Sequence, residues 1–234
     1  MTNRSLILFP HEARAALAGT LGLVVRPVTS VVGIGSVTEF QPSDTPGYDW
    51  IMRNGRVLWN DLENKDLLDR CPLGAPGERL RCRETWRVEE LEDGLDVVMF
   101  KDGSCAPIEN TPEASDLWIV AYDNGKHGLL WRSPATMPAW ASRVTLEVIR
   151  VRCVQTKDLT EDDVRAYGSY LGRCACAEMN RKPKSPLESK FRQTWCHIHG
   201  EEMRSFWDSK YSKRGMGWDQ NPFVWAVGVR SRGI

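Results

Sequence analysis

The sequence predicts an α+β fold, a small mixed β-barrel with insertions and a helical segment late in the chain. Three observations predict it. Short apolar or alternating runs recur between Gly, Pro, Asn and Asp turns, the pattern of many short strands. The strongest helix-start signals stand after residue 159. No regular strand–helix alternation marks a doubly wound parallel sheet.

Taken in order, Leu6–Phe9 reads as a strand. Pro10 then opens a helix over His11–Ala18, closed by Gly19, with proline inside the start and glycine past the end. Leu23–Val28 is a second strand. Val31–Phe40 alternates in part and is expected to pair with Tyr48–Met52, which an Asn54-Gly55 hairpin turn joins to Arg56–Trp59. Arg79–Arg83, Asp96–Phe100 and Leu117–Tyr122 are further strands. Val144–Val154 is the longest, and Phe223–Val229 the last. Thr160 and Asp163 form a capping box for a helix to about Leu171. Ser185-Pro186-Leu187-Glu188 opens another, whose apolar face, Leu187, Phe191, Trp195 and Ile198, continues toward Phe206. Stretches 41–47 and 101–116 read as loops rather than domain linkers, so 1–234 is taken as one domain.

Global charge excludes little, because 31 Lys/Arg balance 31 Asp/Glu. Its distribution says more. Residues 1–123 hold 12 Lys/Arg against 20 Asp/Glu, and residues 124–234 hold 19 against 11. The C-terminal half could therefore face an anion, or the halves could attract each other within one fold. No apolar run is long enough to span a bilayer, and Arg4, Pro10, His11 and Glu12 interrupt any signal core. Seven cysteines, an odd number, do not form a secreted disulfide framework, so the expectation is a reduced, cytoplasmic protein without a membrane partner. Ten tryptophans are spread over the chain, which assigns most of them to the core and leaves a few for stacking on a planar ligand.

The most informative stretch is Leu73 to Trp86. A Gly/Pro turn launches a strand with Arg79, Arg81 and Arg83 on one face and Leu80, Cys82 and Glu84 on the other. A basic strand ending in a carboxylate and an indole could wall a nucleobase. It serves equally as a charged edge strand.

Four segments recur in an order that goes beyond composition. They are an opening strand and helix leading to Gly19–Arg26, the run Pro76–Trp86, the run Met137–Val148, and Trp218-Asp219-x-Asn221-Pro222-x-Val224-Trp225. Together they resemble the ASCH domain, a PUA-like β-barrel, and more closely its phage-encoded members. The resemblance implies a PUA-like barrel decorated by insertions at about 41–70 and 87–130. It also implies binding of RNA or a modified nucleotide. Some small ASCH members remove the acyl group of N4-acetylcytidine with a Lys, a Thr and a Glu. A hydroxyl attacks the amide carbon, a lysine takes its proton and a carboxylate completes the relay. In this chain Gly19 and Arg26 of that motif are retained, but the lysine position is Leu21 and the hydroxyl or acid position is Val24. The glutamate position falls at Tyr167, and a histidine common before Met-Pro in phage members is Thr136. Leucine and valine move no protons, so the expectation is binding without this catalysis.

Other residues carry candidate chemistry. Cys174, Cys176, Cys196 and His199 form a possible structural zinc set, two thiolates from a loop and two ligands at i and i+3 of a helix, with His197 competing. The alternative is reduced cysteines and surface histidines. Arg132, Arg143, Arg150 and Arg152 interleave with Trp131 and Trp140, a mix that single strands favour. Packing and pairing inside the fold is the alternative for Trp140 and Arg143, and the expected state for Arg150 and Arg152. Arg181, Lys182 and Lys184 read as a solvated loop. Glu84 is the best candidate acid, and pairing with Arg26 would make it a poor base.

The expected ligand set is therefore Arg26, Arg83, Glu84, Arg132, Ser133 and Asn221 for hydrogen bonds, with Trp86 and Trp140 for stacking. The expected partner is a single-stranded nucleic acid or a modified nucleoside. One alternative is an amidohydrolase or ribonuclease with relocated groups, drawing on Glu84, Tyr167 and Lys126. Another is a phage protein that binds a host protein through an apolar patch on 87–130, with Trp118 or Phe100 outward.

Overall fold

The computed structural model describes residues 4–124, 128, 130–167 and 201–232. Its elements are β1 (Ser5–Ile7), α1 (Pro10–Leu17), β2 (Leu23–Pro27), β3 (Ser30–Val31), β4 (Gly35–Pro42), β5 (Trp50–Asn54) and β6 (Trp59–Leu62). There follow α2 (Asn64–Asp69), β7 (Arg79–Arg83), β8 (Trp86–Glu90), β9 (Asp96–Phe100), β10 (Cys105–Pro107), α3 (Pro112–Asn124), β11 (Thr145–Gln155) and α4 (Glu161–Ala166). Helix α5 (201–211) and β12 (Phe223–Arg232) complete the set.

The fold is α+β with three sheets. A five-stranded mixed sheet has the order β1-β7-β11-β12-β2, a four-stranded sheet the order β3-β4-β5-β6, and a three-stranded sheet the order β10-β9-β8. In the first, β1 runs parallel to β7 while the other pairings are antiparallel. Among the described residues its hydrogen-bonded ladder does not close. Its two edges are nevertheless tied, because Arg26 Nη2 on β2 donates to Ile7 O on β1 at 2.7 Å.

The central strands are apolar on both faces because each face has its own core. Val24 on β2 and Trp225, Val227 and Val229 on β12 enter the main core with Leu6, Leu8, Leu80, Leu146 and Val148. Leu23, Val25, Val224 and Ala226 point the other way, onto Tyr167, Met203, Trp207 and Tyr211. A third core lies between β8, β9 and α3, around Trp86, Val88, Val98, Phe100 and Trp118.

Most predicted strands stand within a residue or two of their expected places; three expectations are corrected. Stretch 101–116, expected as a loop, holds β10 and the start of α3. Leu117–Tyr122 is helix, not strand, and lies inside α3. Its β-branched and aromatic run reads as a strand locally, but Ala114, Trp118 and Ala121 recur at helical steps and are buried together. The Thr111 hydroxyl accepts Ala114 N–H, a cap that marks the start. The hairpin at Asn54-Gly55 is not a two-residue turn either, since Arg53 pairs with Trp59. Asn54 Oδ1 instead accepts from the backbone N–H of Arg56 and Leu58, and Val57 sits at φ 66°. That conformation is rare for a β-branched residue. The continuation of the Thr160 helix to Leu171 and the helix start at Ser185 lie outside the described residues. Helix α5 contains Phe206, the end of the predicted apolar face.

Candidate nucleic-acid interface

Segment 131–137 is laid along the corner between β7 and β8. Arg132 N–H donates to Trp86 O at 2.7 Å, and Trp86 N–H to Arg132 O at 3.4 Å. Ser133 Oγ then accepts Ala135 N–H and caps the 3-10 turn Pro134–Thr136. The structure so brings Arg83, Glu84, Trp86, Arg132, Ser133 and Thr136 into one neighbourhood. Arg83 Nη1 donates to Ala135 O at 3.2 Å, and Trp86 Nε1 to Thr136 Oγ1 at 3.3 Å.

Several of these groups are committed internally. Trp86 is only 1% exposed and belongs to the core, so it presents no stacking face in this conformation. Trp140 is half-buried against the same core. Arg132 reaches over the Trp86 ring and donates to Ala121 O at 2.9 Å. Glu84 is buried and does not pair with Arg26. It forms a fork with Arg143, Nε to Oε1 at 2.9 Å and Nη2 to Oε2 at 2.6 Å. The same guanidinium donates to Asp102 Oδ2 at 2.7 Å and to Ser104 Oγ, and lies 3.8 Å from the centre of the Phe100 ring. Burial raises the Asp102 carboxyl, but hydrogen bonds from Ser104 and Arg143 outweigh it and hold it below its ordinary value. Arg143 is held above its own, because Glu84 and Asp102 more than offset the burial of its charge. Two buried carboxylates share one guanidinium, which is a structural clamp rather than a general base.

Ser133 and Thr136 are exposed, and the aromatic ring presented to solvent beside them is Trp131. It is 37% exposed, with Lys101 Nζ 4.2 Å and Arg87 Cζ 5.0 Å from its ring centroid. Both cations lie over the ring, and Arg87 is also paired with Glu89, so a base stacks on this indole by displacing a cation that can then meet its phosphates. Lys101 and Arg87 escaped the sequence reading, since Lys101 follows β9 and reaches Trp131 only through the sheet. The one available signal was Arg87 in strand alternation beyond Arg83.

The other predicted residues lie elsewhere. Arg26 forms a bidentate pair with Glu12, both bonds 2.7 Å, and faces Phe9 at 4.6 Å. Burial opposes the Arg26 charge, but Glu12 overrides it and raises the pKa. Tyr167 is buried, and burial together with the nearby Glu12 charge pushes its hydroxyl well above the ordinary value. Leu21 is 3% exposed and Val24 fully buried, both in the main core. Asn221, at φ 50°, closes the turn before β12, its Oδ1 accepting Lys157 N–H at 2.9 Å. Arg152 pairs with Asp163, and the exposed Arg150 stands 3.5 Å from the same carboxylate. Cys174, Cys176, Cys196, His199 and Lys126 lie outside the described residues. Among the described residues no His/Cys/Asp/Glu cluster fit for a metal is found, and no helix is long and apolar enough to cross a membrane.

No family model, no curated protein and no solved structure matches this chain.

Proposed function

We propose that this chain binds single-stranded nucleic acid or a modified nucleotide on an ASCH-like, PUA-like barrel, without the amidohydrolase chemistry of some ASCH members. The observation that carries the reading is the Trp131 indole, 37% exposed, with Lys101 and Arg87 over its ring. Stacking on an aromatic ring contributes about 1–3 kcal/mol per base and tolerates any sequence, while flanking cations take the phosphates. The Arg26 bond between the two edges of the five-stranded sheet is in keeping with a small barrel. Burial of Leu21 and Val24 suits a pocket that has lost its proton-transfer groups. A hydrolase with relocated groups gains no support: Glu84 is locked to Arg143, and Tyr167 holds its proton too tightly to act as a base.

The test is titration of the full-length protein with short single-stranded RNA and DNA and with N4-acetylcytidine, following tryptophan fluorescence and product mass. Saturable binding without turnover, weakened about 5- to 100-fold in Trp131→Ala, is expected. Binding indifferent to that substitution overturns the assignment of the surface, and release of acetate overturns the non-catalytic reading. A second reading, a protein partner, draws on Ile119 and Val120 of α3, which are more than half exposed. Trp118 and Phe100, whose outward exposure would favour it, are buried.

A further inference from the structure

A groove of about 340 Å³, whose lining shares no residue with the Trp131 surface, lies between the Gly19–Gly22 turn and the paired strands β11 and β12. Its size falls within the range of small-ligand sites. Arg150, Arg230, Thr20 and Ser231 supply its polar groups, and its described lining contains no carboxylate.

The fold takes trouble to seat Arg150 here. The register between β11 and β12 shifts between Val148 and Arg150, a bulge that leaves both Ile149 and Arg150 exposed. Directly opposite Arg150 stands Gly228. A Cβ at Gly228 would fall 2.7 Å from Arg150 Cγ, so the missing side chain is the space the arginine stem occupies. Neither groove arginine is strongly neutralised. Asp163 stands 3.5 Å from Arg150, but its oxygens are already bonded by Arg152 and Thr160. The carboxylate across the ladder from Arg230 is Glu147, which takes Arg232 instead. The Thr20 and Ser231 hydroxyls donate to Ala15 O and Ala16 O, so recognition falls to the two guanidinium groups.

We propose that this groove binds a phosphate group, clamped between Arg150 and Arg230. A guanidinium matches phosphate oxygens with two parallel donors, and a dianion satisfies both charges. The phosphate could belong to a free monoester or to a polynucleotide backbone. The proposal needs neither the barrel assignment nor the Trp131 surface.

Calorimetric titration of the full-length protein with inorganic phosphate, a nucleoside 5′-monophosphate and the parent nucleoside tests it. The monophosphate is expected to bind saturably and at least about tenfold tighter than the nucleoside. Arg150→Gln and Arg230→Gln should each weaken it about tenfold, and together abolish it. Trp131→Ala, outside the groove, should leave it unchanged. Melting curves establish that the variants, all at exposed positions, remain folded. If no free monoester binds but an oligonucleotide without terminal phosphate loses affinity in the double variant, the groove takes a backbone phosphate. Phosphate binding that survives the double variant, or no loss with any phosphate-bearing probe, overturns the proposal. A Trp131→Ala variant that loses oligonucleotide but keeps monophosphate separates this outcome from that of the stacking surface.

Discussion

Arg26 and Ile7 join the two free edges of the five-stranded sheet, the guanidinium of one strand donating to the carbonyl of the other at 2.7 Å. Glu12, fully buried, holds that guanidinium in place with two bonds. Removing Arg26 would leave a buried carboxylate without its counter-charge. Arg26→Met is expected to cost about 3–5 kcal/mol in denaturant unfolding, with Glu12→Gln in the same chain recovering part of it. Arg26→Lys should rescue little, because an ammonium cannot reach Glu12, Val25 O and Ile7 O together. Full stability in Arg26→Met would mean that the edges need no bridge.

Glu84 separates architecture from recognition. As a partner of Arg143, Glu84→Gln should lower stability by about 1–3 kcal/mol, through the lost charge-assisted bonds. Nucleic-acid affinity at a temperature where the variant is folded should not change. An affinity loss in a folded Glu84→Gln protein would return Glu84 to the ligand site.

Salt titration distinguishes stacking from charge at the Trp131 surface. If Lys101 and Arg87 contact phosphates, Lys101→Ala and Arg87→Ala should each reduce the slope of log affinity against log salt by about 0.7. Trp131→Ala should lower affinity at every salt concentration and leave the slope alone. Identical slopes in all three would remove the cations from the interface.

Stability should fall as pH drops below neutrality. Burial lowers the His11 pKa from its ordinary 6.5, with Glu12 opposing and Arg26 reinforcing the shift. The unfolded chain then binds the proton more readily, so this contribution is complete above pH 6.5 and is lost as pH falls toward the folded value. His11→Phe, which keeps the ring contacts with Phe206 and Tyr167, should flatten the melting temperature between pH 7.5 and 5.5. An unaltered pH slope would assign the effect to other groups.

Thiol labelling at neutral pH should discriminate among the described cysteines. Burial pushes Cys71 up to about 11 and Cys153 up to about 12, and raises Cys82 further, while Cys105 is exposed. Peptide mapping should find Cys105 modified well before the other three. Early labelling of Cys82 would indicate opening of the main core.

Much of the fold was legible because its cues are local. Arg79–Arg83 and Asp96–Phe100 lie where alternation and turn residues place them. Thr160 caps its helix as its spacing to Asp163 predicts. The errors arose where distant residues decide. Nothing adjacent to Leu117–Tyr122 announces that Trp118 will donate to Val97 O and pack against β9 as part of a helix. In the site, charge types were readable but partners were not. Glu84 and Arg26 each found an opposite charge, but from Arg143 and Glu12, residues that strand alternation could not link to them. Trp86, expected to stack, is covered, and Trp131 is the more exposed of the two, since composition cannot tell which of two indoles on one corner is buried.

The order β1-β7-β11-β12-β2 also imposes a schedule on synthesis. Val24 has Val227 as its ladder partner, roughly 200 residues later, a contact of very high sequence separation. As the chain leaves the ribosome, β2 must therefore wait without its neighbour while every intervening strand is made. During that interval its apolar run is an unpaired edge exposed to association. Insertion of β12 between β11 and β2 ends the wait, so the step that completes the sheet is also the one that covers this apolar edge.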